Sequence, residues 1–210
     1  MVRDGIYYAL ALVVAAVLIG MWAAPLLALV PLLLAAFFLW FFRDPERAIP
    51  STPGAVVSPA DGKVTAVSPI QMEGEPRISI SIFLNVFNVH VNRSPAAGVI
   101  TAIEYRRGKY LNAMNPASAE LNEQNVCTLV TEDGYRIVFK QIAGLLARRI
   151  VFSRRVGDRL ARGERIGLIK FGSRCDVILP VSAKVLVEVG NIVKCGSSTL
   201  AILPPAQGEL

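Results

Sequence analysis

Residues 189–202 read VGNIVKCGSSTLAI, and residues 156–169 read VGDRLARGERIGLI. The two stretches align without a gap at a spacing of 33 residues, so that Gly157 falls on Gly190, Asp158 on Asn191 and Gly163 on Gly196. Each holds a turn, a short apolar step, a second glycine and an apolar strand, which is how two quasi-equivalent halves of a small β sandwich read. Further strand-like runs lie upstream and between the copies, among them GKVTAV, RISISIFL, GVITAIEY and CDVILP, several of them bounded by turn-forming residues. The EDG at Glu132 to Gly134 is set to turn a hairpin. The best helical candidate in this part is NPASAELNEQN (115–125), with Ser118, Glu120 and Glu123 to cap or start a short helix. From residue 43 onward the chain is expected to be a mainly β domain of α+β type.

The N-terminus is different in kind. Residues Ile6 to Phe42 carry no charge at all. One straight helix of that length would run about 55 Å, against a hydrocarbon core of about 30 Å. Pro25 and Pro31, with Gly20 and Ala23-Ala24 beside them, break it into two short spans, so residues 1–42 are expected to be a hydrophobic membrane anchor folded as a helical hairpin. The hairpin puts Arg3 at one end and Arg43 and Arg47 at the other on the same side. The positive-inside bias makes that side cytoplasmic, which places residues 43–210 on the cytoplasmic face of the cell membrane. A cleaved signal peptide is disfavoured, because the apolar stretch is too long and has no clear cleavage site. The net charge of +6, from 22 basic and 16 acidic residues, suits anionic lipid or an acidic substrate. Nucleic acid is argued against by the anchor. Cys127, Cys175 and Cys195 are odd in number and read as reduced thiols, and with a single histidine in the chain a histidine-based zinc site is not expected.

Three motifs are candidates for chemistry. Gly196-Ser197-Ser198 occupies the turn where the first copy has Gly163-Glu164-Arg165, so its plain reading is a turn; what differs is two hydroxyls capable of nucleophilic attack. His90 sits in SISIFLNVFNVHVNRSP, where the apolar parity switches near Asn85 to Asn88 and projects Asn88, His90 and Asn92 together. Its plain reading is a half-exposed edge histidine, and its chemical one a proton carrier near neutral pH. Asp61, in SPADGKV, is a turn-capping aspartate unless it meets His90, which it would then orient.

The repeat resembles the barrel-sandwich hybrid of lipoyl and biotinyl carrier domains, with FGSRCDV (171–177) as the intervening turn. Ser173 and Arg174 stand where the acceptor lysine belongs and Lys170 is off position, so a carrier role is disfavoured. Taken together, VSPADG, FLNVFNVHVNRSP and CGSST behind a hydrophobic N-terminus resemble the short form of the phosphatidylserine decarboxylase family, over Phe42 to Pro204. Longer relatives have Leu-Gly-Ser-Thr where this chain has Cys195-Gly196-Ser197-Ser198, and a second histidine before the one matching His90. The resemblance implies a proenzyme that cuts itself between Gly196 and Ser197, giving a large chain 1–196 and a small chain 197–210 that stay together as a heterodimer. Ser197 would attack the Gly196 carbonyl with His90 as base and Asp61 orienting it. Elimination would then turn Ser197 into a covalent pyruvoyl group, which forms a Schiff base with phosphatidylserine and needs neither metal nor pyridoxal phosphate. His90 is also the candidate proton donor to the decarboxylated carbon, and Arg93, Arg148, Arg149 and Arg174 are candidates for the lipid phosphate or the membrane surface. A decarboxylase for archaetidylserine, a non-catalytic membrane-tethered binding module and a serine hydrolase using Ser197 or Ser198 are the alternatives. Oligomeric state stays open, a homo-oligomer included.

Overall fold

The computed structural model describes residues 3–22, 25–145, 149–169 and 172–205. Arg148, Lys170, the Ala23-Ala24 pair and the last residues of the expected small chain lie outside these. The chain divides into two compact units, Met1–Glu46 and Arg47–Leu210.

The first unit is helical. Helix α1 (Arg3–Trp22) has 20 residues, about 30 Å at 1.5 Å per residue, and its Asp4–Trp22 stretch is long and apolar enough to cross a membrane. A 3₁₀ turn (Pro25–Ala28) leads into α2 (Leu29–Phe41). Pro25 opens the turn and Pro31 lies in the first turn of α2, where a missing N–H breaks no intrahelical bond. The two helices pack as a hairpin, with Tyr8 against Phe38 and Phe42 at ring-centroid distances of 5.4 and 5.8 Å. At Gly5 the chain approaches closely, since a Cβ there would lie 2.5 Å from that of Phe42. At the end of α2, Arg43 stacks over Trp40 at 4.2 Å and donates to its carbonyl at 2.9 Å.

The second unit is mainly β and its sheets are antiparallel. Strands β1 (Ala55–Val57), β2 (Gly62–Met72), β3 (Glu75–Leu84), β4 (Val91–Arg93) and β5 (Gly98–Arg106) come first. A short helix α3 (Ser118–Leu121) precedes β6 (Gln124–Val130) and β7 (Arg136–Ile142), which meet in a hairpin around Gly134. Then follow β8 (Ile150–Phe152), β9 (Arg159–Leu160), β10 (Arg165–Ile169), β11 (Ser173–Pro180), β12 (Lys184–Val185), β13 (Ile192–Val193) and β14 (Thr199–Ile202). The long sheet runs β13-β2-β3-β11-β7-β6-β5-β9, and two three-stranded sheets run β1-β14-β12 and β4-β10-β8. Alternate residues of the long strands, such as Ile80, Ile82 and Leu84, fill one core with Leu129, Phe139, Val177 and Leu200.

Within the segment expected as a turn between the two repeat copies, Phe171 lies outside the described residues and Ser173 to Val177 instead belong to β11, in the interior of the long sheet between β3 and β7. Cys175, Val177 and Leu179 alternate inward, and that buried face makes it a strand.

The repeat is real and larger than the sequence alone suggested. Gly157 and Gly190 take φ of 92° and 101°, and Gly163 and Gly196 take 75° and 76°. Asp158 caps the amide of Arg155 as Asn191 caps that of Glu188. Their strand partners are duplicated too: Ser58-Pro59-Ala60-Asp61-Gly62 is matched by Ser94-Pro95-Ala96-Ala97-Gly98. Ser58 Oγ donates to the carbonyl of Ala60 at 2.6 Å, and Ser94 Oγ to that of Ala96 at 2.7 Å. The halves interlock reciprocally, Val57 N–H on the Pro95 carbonyl and Arg93 N–H on the Pro59 carbonyl. One half is β1, β2, β13 and β14; the other is β4, β5, β9 and β10.

The gapless alignment fails at one point. Val193 pairs with Gly62 as Leu160 pairs with Gly98, which keeps the 33-residue spacing, yet β14 pairs Thr199 with Val57 and Ala201 with Val56 where β10 pairs Arg165 with Arg93 and Gly167 with Asn92. The spacing after the glycine is 34. The half containing Gly196 therefore has one more residue between its glycine and its strand than its twin, and the surplus falls in Ser197-Ser198.

Candidate active site

The turn Lys194–Ser198 connects β13 to β14 and is tied down on both sides of the Gly196–Ser197 bond. On the acyl side, Gly196 N–H donates to the Ser58 carbonyl at 2.8 Å and Cys195 N–H donates to Asp61 Oδ1 at 2.7 Å. On the amine side, Ser58 N–H donates to the Ser198 carbonyl at 2.8 Å. Ser58 thus brackets the bond from one residue. The amides of both Ser197 and Ser198 reach the Lys194 carbonyl, at 3.1 and 3.0 Å, where the twin has the single Glu164 amide on Ala161. The extra residue is absorbed there. Gly196 needs its left-handed φ of 76°, which L side chains rarely adopt.

The two hydroxyls are not equivalent. Ser198 Oγ accepts from Lys194 N–H at 2.9 Å and is stitched into the turn. Ser197 Oγ makes no hydrogen bond among the described residues and is half-buried. Chemically, it is the one available to attack.

Asp61 is 9% exposed, and its hydrogen bonds run to Cys195 and to Arg47, whose Nη2 donates to both carboxylate oxygens at 2.9 Å. Arg47, read from sequence as a basic flank for the membrane, is largely buried in this ion pair instead. Its Cβ would lie 3.8 Å from a Cβ built on Gly196. His90 is buried, at 2% exposure, rather than half-exposed at an edge. It stands immediately before β4, and its carbonyl accepts from Ile169 N–H. Its neighbour Val91 offers its carbonyl to Cys195 Sγ at 3.4 Å, so the His90 segment runs beside the residue that precedes Gly196. Asp61 is brought directly to the turn, whereas from the His90 segment it is the Val91 carbonyl that meets the turn.

The polar stripe is divided. Asn88 closes the Asn85–Asn88 turn by accepting from Asn85 N–H, while Asn92 goes into the interior, taking a bond from Gln141 at 2.9 Å and giving one to the Pro59 carbonyl at 3.3 Å. Of the candidate basic residues, Arg93 is buried, donates to the Gly163 carbonyl and has its Cδ 3.0 Å from where a Gly196 Cβ would stand. Arg149 is exposed. Arg174 pairs with Asp176 and Ser81 on the other face of β11 from Cys175, which touches Asn92. A cavity of about 600 Å³ on that outer face, walled by Ser81, Lys140 and Asp176, contains none of Asp61, His90 and Ser197.

Burial sets the state of the thiols. Cys195, 1% exposed, has its thiol pushed far up by burial and by the Asp61 carboxylate, so it stays protonated and donates to the Pro59 carbonyl at 3.1 Å. It is a structural hydrogen-bond donor and no nucleophile. Among the described residues, no three His, Cys, Asp or Glu side chains gather as metal ligands would. Arg47 and Ser58 are the site residues sequence reasoning missed, and Arg93, expected at the lipid phosphate or the membrane surface, is buried beside the turn instead. The SPADG/SPAAG duplication was the available signal for Ser58, and nothing local marked Arg47.

Residues 34–201 match the family model described as phosphatidylserine decarboxylase. A protein of Solibacter usitatus named phosphatidylserine decarboxylase proenzyme is 54% identical over 201 residues, 95% of each chain. Proteins of the same name from Symbiobacterium thermophilum and Oleidesulfovibrio alaskensis are each 51% identical over 177 residues, covering 81% and 83% of this chain and 81% of their own lengths. The chain belongs to the phosphatidylserine decarboxylase family.

Proposed function

We propose that the chain is a proenzyme that cuts itself between Gly196 and Ser197 and then decarboxylates phosphatidylserine to phosphatidylethanolamine. Family membership supplies the reaction. The observation that carries the site is the surplus residue: relative to its twin, the turn holds one more position, and Ser197 there has a hydroxyl that no described residue engages.

The Ser197 hydroxyl adds to the Gly196 carbonyl carbon, giving up its proton, and the peptide bond becomes an ester. His90 is the base in this reading, and Asp61 holds the acyl side through the Cys195 amide. Glycine suits that position, having no side chain to block attack. The residues present fit a pyruvoyl group made from Ser197: the position heads a strand that remains anchored after the cut, and Ser58 holds the adjacent carbonyl of Ser198. When formed, such a group supplies an electron-withdrawing carbonyl for loss of carbon dioxide. In this reading His90 is also the residue that returns a proton to the product carbon.

The small chain, 197–210, stays because β14 is the middle strand of its sheet, between β1 and β12, with Leu200 and Ala201 fully buried. The two duplicated halves are read as a barrel-sandwich hybrid of the carrier-domain kind, supported by their matched turns. Residues 1–42 are read as the anchor and residues 43–210 as the catalytic domain on the cytoplasmic face, supported by the apolar α1 and by Arg3 and Arg43 at the two ends of the hairpin.

Release of carbon dioxide from carboxyl-labelled phosphatidylserine in detergent micelles tests the reaction. Purified wild type should release it and lose that activity on treatment with hydroxylamine, which traps reactive carbonyls. Activity that survives Ser197→Ala would overturn the proposal.

A further inference from the structure

The twin halves act as an internal control. The turn Ala161–Glu164 reaches the same glycine φ as Lys194–Ser198, 75° against 76°, and Gly163 N–H meets the Ser94 carbonyl at 2.9 Å as Gly196 N–H meets that of Ser58 at 2.8 Å. It does so with Ala97 where the other half has Asp61. A carboxylate at the Asp61 position is therefore not needed to hold the glycine of such a turn at this φ; the twin's own carboxylate, Glu164, lies after the glycine and accepts from Ala161 N–H as Ser198 Oγ does from Lys194. Asp61 and the arginine that holds it have been added to one half alone, the half with the surplus serine.

That addition has a cost that calls for a function. Asp61 and Arg47 are both largely buried, with side-chain exposures of 13% and 11%. Pairs taken out of water recover their lost hydration only with good geometry. Here one Arg47 nitrogen bridges both oxygens at 2.9 Å, and Oδ1 also accepts the Cys195 amide at 2.7 Å. Arg47, Asp61, Cys195 N–H and then Gly196 form a continuous chain ending at the carbonyl to be attacked. Ile49, two residues on, packs its Cδ1 within 3.0 Å of where a Cβ of Gly196 would be.

We infer that Arg47 is a positioning residue for self-cleavage: it fixes the Asp61 carboxylate so that the Cys195 amide, and with it the Gly196 carbonyl, is held for attack by Ser197. This rests on the self-cleavage reading above. Arg47 touches no reacting atom in this role. Its loss slows the cut and leaves the turn folded, as Ala97 does in the twin.

The test uses the full chain, synthesised in a cell-free system with detergent, with the fraction cut followed over time by mass. Arg47→Ala should fold cooperatively and cut about ten- to a hundredfold more slowly, the range expected when a charge-assisted hydrogen bond is lost from a reaction that depends on it. Added methylguanidinium should restore at least half of the lost rate, because it refills the vacated position beside Asp61. A merely structural role predicts no such rescue. Wild-type cutting by Arg47→Ala, or slow cutting that methylguanidinium leaves unchanged, overturns the inference. If the alanine variant fails to fold, Arg47→Gln replaces it: slowing of at least tenfold in a folded protein supports the role and an unchanged rate overturns it. A wild-type chain that never cuts would instead sink the self-cleavage reading.

Discussion

Replacing each of the twin glycines by alanine separates backbone strain from contact, and the structure ranks the outcomes. Both positions hold φ near 75°, so either alanine carries about 1–2 kcal/mol for adopting the left-handed region. At Gly196 the new Cβ meets two side-chain carbons, Arg93 Cδ and Ile49 Cδ1, each at 3.0 Å, which give way by a few tenths of an ångström. At Gly163 it meets Ile49 Cδ1 at 2.4 Å and Cγ1 at 2.9 Å, so the whole side chain must move, adding about 1–3 kcal/mol of overpacking. Gly196→Ala is thus expected to cost about 1–2 kcal/mol and Gly163→Ala about 2–5 kcal/mol. At about 2–4 °C per kcal/mol, the midpoints should fall by about 2–8 °C and 4–20 °C respectively. The assay is thermal unfolding in detergent, in a Ser197→Ala background that keeps every chain intact. A Gly196→Ala loss equal to or larger than that of Gly163→Ala would refute the reasoning, as would no loss at either.

Other expectations follow from named contacts. Deleting Ser197 while changing Ser198 to Glu reproduces the twin turn, and should give a folded, uncut chain; cutting in this variant would show that the surplus residue is not the nucleophile. Ser198→Ala removes the hydroxyl that accepts from Lys194 N–H and should cost about 1 kcal/mol of stability while mass analysis still finds the cut before Ser197. Leu200→Ala hollows the fully buried centre of β14, costs about 2–5 kcal/mol, and should let the small chain separate from the large one on gel filtration in mild denaturant that leaves wild type together. Burial pushes the Cys127 thiol from its ordinary 9.0 up to about 12, and Cys175 is raised for the same reason. An unfolded chain releases these protons near pH 9 while the folded one keeps them, so stability is fully present below pH 9 and falls as pH rises toward 12, by about 1.4 kcal/mol per pH unit per thiol. Denaturant titrations between pH 8 and 11 read this slope, and a flat profile would contradict it.

Much of the site was legible because its chemistry is carried by short motifs: Gly196-Ser197, Asp61 in a tight turn, and a lone histidine after a parity break. The break at Asn85–Asn88 was visible as a change of period, yet Asn88 was misplaced with His90, since a pattern cannot tell a residue leaving a strand from one closing a turn. The repeat showed in the sequence, but a gapless comparison hides a bulged residue, and the matching SPADG and SPAAG stretches lie far along the chain from the strands they pair with. CDVILP was legible as a strand, but the likeness to carrier domains made FGSRCDV the turn before it, while the start of β11 at Ser173 depends on β3 and β7 on either side. Arg47 was unreadable for the same reason: basic residues after an apolar helix ordinarily face lipid, and only the fold brings this one to Asp61.

Intact mass of the purified protein bears most directly on the central claim. The account predicts two chains, one ending at Gly196 and one spanning residues 197–210 with its first residue converted to pyruvoyl, and a single full-length chain for Ser197→Ala. A catalytically active protein of one uncut chain, or a wild-type cut at another bond, would contradict it.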